Sequence, residues 1–94
     1  MDKKSEEFYA RLKEELAEST SWPSEYLFKF IIPTDTEKQE KLNHIFDNMG
    51  AVINTKTSAK GNYFSFSINV QMESPQHVID KYLEVSTIEG VISL

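Results

Sequence analysis

Apolar residues recur along this chain with a spacing near four, then two, and each change of spacing marks a new element. Phe8, Leu12 and Leu16 repeat every fourth position within Ser5 to Glu18. Among good helix formers, that spacing predicts a helix with a narrow apolar stripe. The polar residues Glu18 to Ser21, followed by Trp22-Pro23-Ser24, break the helix and read as a connector. From Glu25 to Ile32 the period drops to two, with Tyr26, Phe28, Phe30 and Ile32 on one side and Leu27, Lys29 and Ile31 on the other. A strand this apolar on both faces belongs at the centre of a sheet. Pro33 ends it, and Thr34 with Glu37 has the capping-box spacing for a helix running to about Met49. Leu42, Ile45, Phe46 and Met49 form its buried stripe, and Gly50 stands where a C-cap favours a left-handed residue.

The second half repeats the scheme. Ala51 to Thr57 reads as a polar strand whose large apolar residues are Val52 and Ile53, as suits a sheet edge. Ala59 to Asn62 is a turn, and Asn62 to Met72 is a strand alternating in period two. Ser74-Pro75 supplies an N-cap hydroxyl and a first-turn proline for a helix to about Ser86, with Val78, Ile79, Tyr82, Leu83 and Val85 on its apolar face. Val91 to Leu94, after Gly90, forms a short last strand. The order βαββαβ with one-sided helices closes as an α+β, ferredoxin-like sandwich: a four-stranded antiparallel sheet in the order 4-1-3-2, both helices on one face. Residues 1–20 are then an N-terminal helical extension and residues 21–94 the domain.

Composition narrows the function. With 94 residues the chain supports one modest core, and its 27% charged residues leave no apolar run long enough to span a bilayer. No membrane role is expected. The charged opening MDKKSEEF lacks the apolar segment of a secretion signal, so a cytoplasmic location is expected. The absence of cysteine removes disulfides, thiolate metal sites and thiol nucleophiles. A net charge of −5 opposes polyanion partners at long range, and no nucleic acid is expected to bind.

The stretch SAKGNYFSFSINV, Ser58 to Val70, is the one place where an RNA-reading strand could be hidden. RNA-recognition motifs on this fold use a Lys/Arg-Gly-aromatic octamer on the third strand, and here Lys60, Gly61 and Phe64 match while the other five positions do not. Face parity decides against it. Phe64, Phe66, Ile68 and Val70 share one side, and Tyr63, Ser65, Ser67, Asn69 and Gln71 the other. Turning the aromatics outward would bury the serines and amides without partners, at roughly 1–3 kcal/mol per group. The aromatics are therefore core. The open face keeps Tyr63, Lys29 and Lys56, too little for a base-stacking platform.

Other chemistries meet similar obstacles. An acylphosphatase-like hydrolase on this fold would need an arginine in the turn after the first strand, where Pro33-Thr34-Asp35-Thr36 offers an aspartate. The single arginine, Arg11, lies outside the domain. His44 and His77 sit on different helices without metal-pair spacing, and Asp80 with Glu84 is an ordinary exposed carboxylate pair. We expect no catalytic residue, metal site or cofactor. Lys60-Gly61-Asn62 could cradle an anion with backbone N–H groups, but a turn needing positive φ explains Gly61 better.

Ser58, Lys60, Gly61, Asn62, Tyr63, Ser65, Ser67 and Ile68 together resemble the signature S-x-K-G-N-Y-x-S-x-S-I of the YbeD-like family of small bacterial proteins of unknown function. The resemblance runs from about Ser24 to Leu94. It implies a ferredoxin-like fold similar to ACT-type regulatory domains and implies no catalytic residues. Amino-acid-binding ACT domains usually carry glycine after the first strand, and Pro33-Thr34-Asp35 departs from that. The resulting expectation is a non-enzymatic regulatory or adaptor module binding a protein partner or small metabolite. Its candidate site is the open face and hairpin turn: Lys29, Lys60, Asn62, Tyr63, Ser65 and Ser67. Two alternative covers for Leu27 and Ile31 on this face stay open, the leading helix or a second chain in a homodimer.

Overall fold

In a computed structural model the chain is described over residues 3–94. The elements run α1 (Lys3–Ser19), β1 (Ser24–Pro33), α2 (Thr36–Ile45), β2 (Val52–Thr57), β3 (Tyr63–Met72), α3 (Pro75–Val85) and β4 (Ile92–Ser93). The four strands are antiparallel in the order β2-β3-β1-β4, which is 4-1-3-2 read from the other edge. The expected ferredoxin-like α+β fold is the one observed. Residues 1 and 2 of the expected N-terminal extension lie outside the described residues.

The alternation in β1 and β3 sets the core. Phe28, Phe30, Ile32, Phe66, Ile68, Val70 and Met72 are buried on the helix side, where they meet Leu42, Phe46, Val78, Val85 and Ile88. Phe28 lies 5.2 Å, ring centroid to centroid, from Phe46 and 5.1 Å from Tyr82, so one aromatic joins the sheet to both covering helices. Burying an aromatic of this size is worth roughly 1.5–3 kcal/mol before packing gains. The register aligns Phe30 with Phe66 and Lys29 with Ser67, so inward apolar rows alternate with outward polar ones.

Strand β1 extends through Pro33 rather than ending before it, and both ends of α2 differ from expectation. The N-cap of α2 is Asp35 rather than Thr34: Asp35 Oδ1 accepts hydrogen bonds from the Glu37 N–H at 2.9 Å and the Lys38 N–H at 3.3 Å. Thr34 is still tied to the sheet end, its N–H donating to the Asn62 carbonyl at 3.1 Å, so the helix starts one residue later. At its other end α2 stops at Ile45 rather than Met49. Asn48 (φ 61°) and Gly50 (φ 69°) both turn left-handed, which an α-helix cannot accommodate. Phe46 and Met49 nevertheless reach the core from this turn. The Ile45 carbonyl, left without a helical partner, accepts the Lys81 ammonium of α3 at 2.7 Å. In α3 the expected cap is present, with Ser74 Oγ accepting the His77 N–H at 3.1 Å and Pro75 in the first turn.

Helix α1 does not lie over the open face of the sheet. It packs against α3, with Tyr9 against Tyr82 at 6.3 Å and Leu16 against the core. Trp22 Nε1 donates to the Leu16 carbonyl at 3.0 Å and fixes the end of the helix. Leu27 on the opposite face stays 45% exposed, so the leading helix is not its cover.

Candidate functional site

The open face of the sheet is built row by row from the register. Asn54, Ser67 and Lys29 form one row, and Lys56, Ser65, Ile31 and Ile92 the next. Beyond these, Tyr63 stands opposite Pro33 at the strand end. Around Ser65 the surface dips into a concavity of about 330 Å³ lined by Ile31, Lys56, Thr57, Ser58, Tyr63 and Ser65. The twist of the β2–β3 hairpin and the small serine side chain, flanked by Tyr63 and Ile31, leave this hollow.

The hairpin that frames the hollow is held by the residues of the sequence signature. Ser58 N–H donates to the Tyr63 carbonyl at 2.8 Å, and the Tyr63 N–H donates to Ser58 Oγ at 3.1 Å. Gly61 adopts φ 74° and donates its N–H to the Ser58 carbonyl at 2.9 Å. Ser58 and Gly61 are thus explained by turn closure. Of the six residues singled out in the sequence, Tyr63 and Ser65 line the concavity, and Lys29 and Ser67 occupy the adjoining row. Lys60 and Asn62 are exposed in the turn and do not line it. Lys56 and Ile31 complete the hollow instead, brought there by pairing across β3.

Polarity on this face is one-sided. Among the described residues, Lys29 and Lys56 form no ion pair, and the Ser65 and Ser67 hydroxyls have no intramolecular hydrogen bond. Glu25 is the carboxylate on the strand residues of this face, and it lies at the far end opposite Gln71. Elsewhere a few titratable groups are engaged locally. His44 Nδ1 sits 3.1 Å from Asp47 Oδ2, Glu73 N–H donates to His77 Nδ1, Gln76 donates to Asp80, and Glu84 faces Lys81. Among the described residues no three His, Asp or Glu side chains gather as a metal site.

A second cleft was not visible in the sequence. It holds about 250 Å³ between α1, α3 and the β1–β4 edge, lined by Phe8, Tyr9, Leu12, Tyr26, Tyr82, Ser93 and Leu94. Tyr26 and Tyr82 share a hydrogen bond of 2.9 Å there. Burial, reinforced by that bond, pushes the Tyr82 phenol above its ordinary value of 10.0. The signal for it was the pair of hydroxyl-tipped aromatics at inward positions, which must find a polar partner when buried.

Fold and surface together define a small ferredoxin-like α+β protein with one sheet face open. A family described as "Protein of unknown function (DUF493)" matches residues 17–94, and the chain belongs to that family. The YbeD-like proteins fall within it, so the resemblance carried by Ser58 to Ile68 stands. Over 37 residues the chain is 46% identical to a UPF0250 protein of Shewanella putrefaciens, covering 39% of this chain and 42% of that protein. A UPF0250 protein of Shewanella baltica is 49% identical over 37 residues with the same coverage. The match therefore spans less than half the length of these curated relatives. No solved structure matches the chain. Among the described residues no helix is long and apolar enough to cross a membrane.

Proposed function

We propose that this protein is a non-enzymatic regulatory or adaptor module that binds a protein partner or small metabolite through the open face of its sheet. The observation that carries this reading is the uncovered face itself: Leu27 and Tyr63 are 45% and 48% exposed on it, and Tyr63 lines its concavity. Exposed apolar surface costs solvation free energy and is a mark of binding surfaces. The hydrolase alternative would need an arginine in the β1–α2 turn. Asp35 occupies that place, its carboxylate held by the Glu37 and Lys38 amides.

The test is native mass spectrometry of the chain purified from its own bacterium. A co-purifying mass should be present with the wild-type chain and lost in Tyr63→Ala and Lys29→Glu, while near-ultraviolet circular dichroism shows both variants folded. A mass retained by both variants, or a chain that emerges alone, would overturn the proposal.

A further inference from the structure

The charge on the open face runs against that of the whole molecule. The chain carries −5, yet Lys29 and Lys56 rise from this face with Ser65 and Ser67 between them. Lys29 stands beside Ser67, Lys56 stands beside Ser65, and β3 runs between the two lysines. From ordinary sheet spacings their Cα atoms are about 12 Å apart, so both flexible stems can bend toward the serine row. Among the described residues none of the four side chains is satisfied within the molecule. Glu25, the face's carboxylate, is four residues along β1 from Lys29, about 13 Å away. The face thus gathers hydrogen-bonding groups and positive charge with little negative charge of its own.

A ligand that completes such a surface brings several anionic oxygens. Resting on the proposed role of this face as a binding surface, we propose that it binds a small oxyanion metabolite, a carboxylate or phosphate compound. Lys29, Lys56, Ser65 and Ser67 hold its charged oxygens, and its body lies over Ile31 and Tyr63. The adjoining concavity of about 330 Å³, lined by Ile31, Lys56, Tyr63 and Ser65 but not by Lys29 or Ser67, has room for that body. Two copies of the chain pairing across this face would set the lysines of both against one another with only Glu25 to offset them, which disfavours a second copy as occupant.

The experiment is a titration of the full, nitrogen-15-labelled chain with inorganic phosphate and, separately, citrate at low ionic strength, followed by amide shifts. At least one of the two anions should give saturable shifts centred on Lys29, Lys56, Ser65 and Ser67, and which one does so separates phosphate from carboxylate chemistry. The double variant Lys29→Gln, Lys56→Gln should weaken that binding by about tenfold, the scale of a lost charge-assisted contact. Its dispersed spectrum would show it folded. Lys41→Gln, on the exposed side of α2, should bind as the wild type does. Shifts spread evenly over the surface, or binding undiminished in the double variant, overturn the proposal. A hexaglutamate peptide that shifts these amides while phosphate and citrate do not also overturns it. If neither anion binds but the Tyr63-dependent partner is still captured, the oxyanion assignment fails and the binding face stands. If the partner is captured independently of Tyr63, the face itself fails.

Discussion

Gly61 and Gly90 both lie at positive φ, 74° and 82°, but a methyl group at each would meet different surroundings. At Gly61 nothing lies within 4 Å of an added Cβ, so alanine there carries only the left-handed strain of about 1–2 kcal/mol. At Gly90 the added Cβ would sit 3.0 Å from Pro33 Cγ, and a proline ring has little room to yield. Gly90→Ala should therefore lower the urea midpoint more than Gly61→Ala, with a gap of about 1 kcal/mol or more in unfolding free energy. Equal losses would show that Pro33 moves freely. The turn role of Gly61 was legible from its neighbours Lys60 and Asn62. The close approach of Gly90 to Pro33 was not, because it joins the ends of β1 and the β4 connection across a long stretch of sequence. The same holds in the site: Tyr63 and Ser65 were legible by alternation, whereas Lys56 and Ile31 reach the hollow only through strand register.

Among the helices, α1 is held at the margin of the core. It has no buried residue, and its attachment rests on Tyr9 against Tyr82, Leu16 at the core margin, and the Trp22 hydrogen bond to the Leu16 carbonyl. Its amides should exchange with solvent several-fold faster than those of β1 and β3, whose ladders run through the sheet centre. Trp22→Phe, which keeps the ring and removes the N–H, should speed exchange over the last turn of α1 and leave β3 unchanged. Protection of α1 equal to that of β3 would mean a far tighter attachment than these contacts supply. The helix itself was readable from Phe8, Leu12 and Leu16, but a stripe of three residues names no surface to lie on. Helix α2 shows the complementary case. Its apolar spacing was right, while its ends were decided by contacts outside it: Thr34 held to Asn62 moved the cap to Asp35, and Asn48 stopped the helix early.

At the scale of the whole molecule, the partly buried Tyr26–Tyr82 pair links stability to pH. The folded state holds the Tyr82 phenol above its ordinary value of 10.0, chiefly through burial and then through the bond to Tyr26. In the unfolded chain Tyr82 loses its proton near that ordinary value, whereas the folded chain retains it. Its contribution is thus fully present below about pH 10 and is lost as pH rises further. Urea unfolding should show stability falling from about pH 10 upward, and Tyr82→Phe should flatten that fall; an unchanged slope in the variant would assign the loss to other groups. The sequence by itself determined the element order, the central placing of β1, the inward row from Phe64 to Val70 and the outward row from Tyr63 to Ser67. Those follow from periodicity and from the free-energy cost of burying unpaired polar groups, which are properties of the chain's local order. The tertiary structure alone decided that α1 covers α3 and leaves the sheet open. It also decided that Lys56 and Ile31 flank Ser65, and that two tyrosines share a cleft on the other side. Each of those depends on which distant segments meet, and hydrophobic attraction, being without direction, leaves that choice to the packing of the whole.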